Sequence, residues 1–212
     1  MSINQAQLFF YSGLLLHPMK LSIDLKCASS KAWLDAVLRD FPSFLQDHAN
    51  CERKASSMVM SLVAKYPNRV EIIPDLIATA VEELEHFQQV YQVMEKRGIE
   101  LPHEIGKDEY AVQLVNLCRS DVDDRFMDRL LLASVMECRG AERFRLVAEA
   151  LPEGELKQFY KMLWTSEAKH GHIFVGFALN YFPKEQVYER LEALMTAEAA
   201  IISNLPVKAA LH

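Results

Sequence analysis

Glu83-Leu84-Glu85-His86 and Glu167-Ala168-Lys169-His170 decide how this chain reads. Residues at i and i+3 of an α-helix lie ~60° apart on one face, so each quartet can aim a carboxylate and an imidazole at one ion. One Glu-x-x-His alone is weak. With 7 His in 212 residues chance supplies nearly one such quartet, and a third copy, Glu100-Leu101-Pro102-His103, falls beyond the helix stop at Gly98, contains Pro102 and reads as accidental.

The surrounding sequence is helical. Gly is only 7 and Pro only 8, and Asn-Gly and Asp-Gly hairpin turns are absent. Phe44, Leu45, His48, Ala49, Glu52, Ala55, Ser56, Val59, Leu62 and Val63 recur at steps of three and four. The first long helix starts near Pro42-Ser43 and stops before Pro67. The second covers about 74–97 and ends at Gly98; the third covers 122–151 and stops at Pro152; the fourth covers 153–181 and stops before Pro183. Helices this long with two short connections pair as antiparallel hairpins of a bundle. Short helices are expected at 31–39, capped by Ser29 or Ser30, within the connecting stretch at 108–119, and at 184–202. The chain reads as one all-α domain over 1–212, with the core bundle at about 42–182.

Repetition strengthens the Glu-x-x-His signal. Glu52 lies 31 residues before Glu83, and Glu137 lies 30 before Glu167; Glu52 and Glu137 each stand 15 residues ahead of a helix-ending proline, Pro67 or Pro152. Glu83 and Glu167 follow those prolines by 16 and 15 residues. Up one helix and down its neighbour, the acidic positions return to one level. Two packed hairpins would gather Glu52, Glu83, His86, Glu137, Glu167 and His170 in one layer. That donor set matches the di-iron or di-manganese carboxylate site of ferritin-like four-helix bundles. Four carboxylates neutralise two divalent ions held ~3.5–4 Å apart, and without metal they would repel and take up protons. A solvated acidic face with chance histidines is the bland alternative, but it requires six residues to agree in register by accident.

Glu142 competes with Glu137 for the third-helix position. Its spacing to Glu167 is 25, against 31 in the first half, so the register favours Glu137 and leaves Glu142 to pair with Arg139 or Arg145 or to touch the ligands from outside. His48, one turn before Glu52, is a candidate to line the site, and a satisfied half-buried histidine explains it equally well; Tyr160, two turns before Glu167, is a weaker candidate that core packing explains better. Asp47 is a candidate to orient a ligand imidazole. His172 sits on another face from His170.

Composition bounds the rest. Half the residues are hydrophobic and a quarter charged, which fits a globular chain. The net charge of −6 excludes a generally basic nucleic-acid binder but not a local basic patch. No basic-then-apolar leader and no run of 18 apolar residues is visible; the apolar stretch 8–16 is short and interrupted. Cys27, Cys51, Cys118 and Cys138 form no Cys-x-x-Cys pair, which disfavours a zinc ribbon or rubredoxin-type module and fits reduced thiols in a cytoplasmic protein.

Four stretches carry a family resemblance: Asp-His-Ala-Asn-Cys-Glu-Arg-Lys-Ala-Ser from Asp47, Glu-Glu-Leu-Glu-His-Phe from Glu82, Met-Glu-Cys-Arg-Gly-Ala-Glu-Arg-Phe from Met136 and Ser-Glu-Ala-Lys-His from Ser166. Together with Lys31-Ala32-Trp33-Leu34 and Lys96-Arg97-Gly98, they resemble the tRNA 2-methylthio-N6-isopentenyladenosine hydroxylase family over residues 25–182. The resemblance implies a non-haem di-iron monooxygenase that hydroxylates the isopentenyl group of the hypermodified adenosine beside the anticodon of tRNA. Dioxygen is the implied co-substrate, and a ferredoxin or reductase the implied electron donor. By position Glu52, Glu83, His86, Glu137, Glu167 and His170 take the ligand roles. Two ferrous ions would bring the charge to about −2, so an anticodon loop requires clustered basic groups, with Arg139, Arg143 and Arg145, Lys157 and Lys161, or Arg125 and Arg129 as candidates. A monomer or small homo-oligomer without a membrane partner is expected. An iron-oxidising store or a peroxide-reducing di-iron protein is the alternative, the latter disfavoured by the missing Cys-x-x-Cys.

Overall fold

The computed structural model describes residues 23–104 and 106–212; the apolar stretch 8–16 lies outside them. Seven helices make up the described fold: α1 (Lys31–Arg39), α2 (Phe41–Lys65), α3 (Ile73–Lys96), α4 (Glu109–Val115), α5 (Val122–Ala150), α6 (Glu155–Leu179) and α7 (Lys184–Asn204). Local chemistry sets their ends. Ser30 caps α1 by accepting from the Trp33 amide, and Asp40 caps α2, whose first turn carries Pro42. Asp121 accepts from two amides at the start of α5, and Gly98 takes a φ of 66° just past α3.

Most boundaries fall within two residues of the sequence expectation, with α6 ending at Leu179 rather than 181 and α7 at Asn204 rather than 202, and two differences have a clear local cause. Helix α6 starts two residues late, because Gly154 adopts a φ of 153° that no helix contains. Helix α4 spans Glu109–Val115 rather than 108–119. Asp108 is its cap, and further on the buried Asp128 accepts from both the amide and the guanidinium of Arg119, drawing that stretch away from the helix axis.

Helices α2 and α3 form one hairpin, α5 and α6 the other; α7 packs mainly on α5, α4 bridges α5 and α7, and α1 covers α2 and α5. The hydrophobic core is split. One cluster contains Leu62, Tyr66, Phe126, Leu131, Phe174 and Leu194, and another contains Trp33, Phe44, Phe144, Tyr160 and Leu163. Between them lies the layer holding the acidic and histidine positions. The second hairpin closes tightly beside it: a Cβ on Gly171 would come within 2.7 Å of Cys138 Sγ, and Ser134 Oγ donates to the Gly171 carbonyl at 2.7 Å.

The outer face of α5 corrects an expectation. Arg139 and Arg143 are buried, not parts of a basic surface. Arg139 forms a fork on Glu198 of α7 at 2.8 and 3.0 Å, both side chains fully buried, and Tyr110 donates to the same carboxylate at 3.1 Å. Arg143 stacks 4.5 Å from the Trp33 ring centre and donates to the Leu211 carbonyl, while Trp33 donates to the Ala210 carbonyl at 2.9 Å. On the surface, Arg145 and Lys157 are paired with Glu149 and Glu153. Glu198→Ala, which leaves Arg139 buried with no opposite charge on α7, is expected to destabilise the protein by about 3–5 kcal/mol. Glu149→Ala should cost about 1 kcal/mol or less. Chemical denaturation of both variants at fixed metal content checks the contrast.

Candidate metal centre

The four long helices each bring one carboxylate to the layer between the two core clusters. Helix α2 supplies Glu52, α3 supplies Glu83 and His86, α5 supplies Glu137, and α6 supplies Glu167 and His170; all six are buried. His170 Nδ1 lies 2.8 Å from Glu83 and 3.4 Å from Glu167. His86 Nδ1 lies 3.2 Å from Glu167, 3.6 Å from Glu83 and 3.8 Å from Glu52. Two overlapping groups result, each with donor atoms within 4.8 Å of one another: Glu52, Glu83, His86 and Glu167, and Glu83, Glu137, Glu167 and His170. Glu83 and Glu167 belong to both, so the layer has the form of two ion positions with two shared carboxylates.

The donors fit metal ions better than they fit each other. Both oxygens of Glu83 and Glu167, Nδ1 of His86 and both ring nitrogens of His170 are buried without a hydrogen bond. Short separations without bond alignment are costly in a protein interior unless something else satisfies those lone pairs. Oxygen and imidazole donors suit divalent iron or manganese. Protonation reflects the same crowding. Burial, and then the charges of Glu167 and Glu83, hold the Glu52 carboxyl well above its ordinary range; burial and the charges of Glu83 and Glu167 do the same to Glu137. Burial alone would depress the imidazoles, but the carboxylates of Glu167 and Glu83 outweigh it and raise His86 to about 9 and His170 to about 11. For Glu167 burial is overcome by Glu137, His170 and His86, which hold it well below the usual carboxylate range.

Of the outer candidates, His48 and Tyr160 reach the layer. His48 Nε2 lies 2.7 Å from Glu52 Oε1, and its Nδ1 lies 3.3 Å from the Tyr160 hydroxyl. Asp47 and Glu142 do not reach it. Asp47 accepts from the Leu211 amide at 2.7 Å, so it holds the tail after α7 rather than a ligand imidazole. Glu142 accepts from the amide and hydroxyl of Ser29 and from Arg139 at 3.1 Å, fastening the segment before α1. His172 is exposed, as its face predicts. One acidic residue carried no signal of its own in the sequence. Glu82 sets Oε2 3.2 Å from His170 Nε2 and accepts from Ser166 at 2.7 Å, so a carboxylate of α3 faces the outer side of the α6 imidazole. Only its place beside Glu83 could have pointed to it.

A cavity of about 180 Å³ reaches the layer from the α4 side. Ala55, Met58, Met136, Gly140 and Phe144 form apolar walls; Glu52, Glu137 and Glu167 close the inner end, and Lys54, Asp108 and His212 stand at the outer one. A water needs only ~10–15 Å³ of such space, so the cavity suits a small organic group. A larger pocket of about 600 Å³ shares Asp108 and His212 with it.

The family model described as tRNA-(MS[2]IO[6]A)-hydroxylase (MiaE) matches residues 17–212. This chain belongs to the MiaE family. It is 35% identical over 180 residues to the tRNA 2-(methylsulfanyl)-N(6)-isopentenyladenosine(37) hydroxylase of Pseudomonas putida, covering 85% of this chain and 87% of that protein. The Salmonella typhimurium protein of the same name is 26% identical over 228 residues, covering 84% and 83%. Among solved structures, Protein 43 with aldehyde deformylating oxygenase activity from Synechococcus superposes with a TM-score of 0.84 at 30% identity, covering 89% of this chain and 94% of that one. The MiaE relationship and this neighbour agree with the all-α ferritin-like bundle. Among the described residues no helix is long and apolar enough to cross a membrane.

Glu137→Ala is expected to lose at least one bound metal ion per chain while remaining helical; Glu142→Ala should keep full metal content. Elemental analysis beside circular dichroism tests this, and the reverse pattern would make Glu142 the ligand. Metal binding must also displace protons from the raised Glu52 and Glu137 carboxyls and the two imidazolium groups. Apparent metal affinity should therefore rise with pH from 6 to 8, with proton release visible by calorimetry in buffers of different ionisation enthalpy.

Proposed function

We propose that this chain is the di-iron monooxygenase that hydroxylates the isopentenyl side chain of 2-methylthio-N6-isopentenyladenosine in tRNA. The observation that carries this reading is the largely apolar cavity ending on the carboxylate layer: a metal centre alone also suits iron storage, but storage has no use for a hydrocarbon-walled cleft leading to the centre. Membership of the MiaE family supplies the substrate class.

In this reading Glu52, Glu83, His86 and Glu167 would hold one iron and Glu83, Glu137, Glu167 and His170 the other. The bound irons supply the activation of dioxygen, with an external ferredoxin or reductase as electron source. One oxygen atom enters a C–H bond of the alkyl group; the other leaves as water with two electrons and two protons.

The chain's own residues do the rest. Ala55, Met58, Met136 and Phe144 accept a branched alkenyl chain and exclude water, and burial of that apolar surface draws the group inward. Glu52, Glu137 and Glu167 at the closed end set how far it enters. The outer pocket, at about 600 Å³, falls in the range of small-molecule sites and is large enough for the nucleoside that bears the alkyl group. Lys107 and Lys208 line that pocket beside the carboxylates of Asp47, Glu104, Asp108 and Glu109, so its charge is mixed, and Lys54 of the inner cavity is paired with Asp108 at 3.8 Å.

Iron-loaded protein incubated with reductant, dioxygen and isopentenylated tRNA should add one oxygen to the modified nucleoside by mass analysis. Ala55→Phe, which fills the cavity from α2, should retain both irons and lose at least tenfold in hydroxylation. Rapid ferrous oxidation with no nucleoside product, or an Ala55→Phe protein as active as wild type, would contradict the reading.

A further inference from the structure

The bundle has two halves related by sequence register, and among the buried positions where they differ is the one a turn ahead of each helix's acidic residue. One turn before Glu52 on α2 stands His48; one turn before Glu137 on α5 stands Ala133. Both are buried, so the difference lies inside the protein rather than on a solvent face. His48 is fully enclosed by rings: Phe44, Phe144, Phe159 and Tyr160 have centroids 4.6 to 6.4 Å from its own. Its two nitrogens have separate tasks. Nε2 meets Glu52 Oε1 at 2.7 Å, and Nδ1 meets the Tyr160 hydroxyl at 3.3 Å.

The geometry points to His48 as a positioning residue that fixes Glu52 for one of the two metal ions, with the Tyr160 hydroxyl selecting the ring tautomer that allows it. This rests on the six-ligand centre proposed above. A carboxylate bound to metal has no proton to give, so the hydrogen bond requires His48 to donate from Nε2. A neutral ring that donates from Nε2 must accept at Nδ1, and the Tyr160 hydroxyl is placed to donate there. With one Glu52 oxygen held by His48, the other, Oε2, faces His86 Nδ1 at 3.8 Å. Glu137 has no such imidazole behind it, and its carboxylate neighbour is Glu167. The histidine therefore acts on the Glu52/His86 position and not on the Glu137/His170 position.

The test is stepwise titration of metal-free protein with cobalt(II), followed by absorption and calorimetry, on wild type, His48→Phe, His48→Gln, Tyr160→Phe and the reference variants His86→Ala and His170→Ala. The wild type should bind two ions. His48→Phe should weaken, by roughly 10–100-fold, the step that His86→Ala abolishes and spare the step that His170→Ala abolishes. His48→Gln restores an N–H donor one turn from Glu52 and should recover much of that loss, and Tyr160→Phe should fall between it and wild type. Equal weakening of both steps with a lower melting temperature, or a His48→Gln protein no better than His48→Phe, would reduce His48 to a packing residue and overturn the proposal. Unchanged binding in His48→Phe overturns it outright. If His48→Phe does not fold, the isolated effects of His48→Gln and Tyr160→Phe decide: loss confined to the His86 step supports positioning, and no loss in Tyr160→Phe removes the tautomer argument. A wild type that binds no ion in this layer defeats the six-ligand centre itself, a different result from two ions bound with no effect at His48.

Discussion

Four carboxylates buried in one layer of an apolar helical bundle are a constraint that the rest of this structure has to meet. Ionised together without counter-charge they would repel at short range in a poorly screened interior. Burial and that mutual repulsion hold the Glu52 and Glu137 carboxyls well above their ordinary range, and the Glu167 and Glu83 carboxylates raise the His86 and His170 imidazoles in turn. That arrangement leaves Glu83 and Glu167 oxygens without aligned hydrogen-bond partners. Two divalent cations would remove the repulsion and occupy those lone pairs together, which explains why a core otherwise built of Leu, Phe and Val gives up a whole layer to acids.

The layer is also supported from outside. Helix α5 carries Glu137 inward while Arg139 and Arg143 leave the same helix toward α7 and the tail that follows it. The Arg139–Glu198 fork ties α5 to α7, and Arg143, Trp33 and Asp47 clasp residues 210 and 211. That clasp sets Leu211 and His212 beside the cavity that leads to the carboxylates. The periphery thus shapes the approach to the centre, while the centre's own geometry belongs to the four long helices.

The sequence made the repeating parts of this design legible. Helix period, proline stops and the matched spacings 31 and 30 identify the hairpins and bring all six proposed ligands to one level, and they favour Glu137 over Glu142. Contacts between distant segments were not legible. Asp47 and Glu142 look like acids beside a metal site until the tail and the segment before α1 are seen to occupy them. Arg139 and Arg143 look like a basic face until α7 covers them. The shortened α4 follows from Asp128, which lies on the next helix, nine residues beyond the Arg119 it holds. The cavity leaves no trace in composition either, because Ala, Met and Phe line a void with the same side chains that would fill it.

The most direct measurement is a crystal structure of iron-loaded protein with anomalous scattering recorded at the iron edge. The account predicts two peaks per chain ~3.5–4 Å apart, one between Glu52 and His86 and one between Glu137 and His170, with Glu83 and Glu167 touching both. A single peak, or iron bound elsewhere, such as beside Cys51, Asp108 and His212, would contradict it.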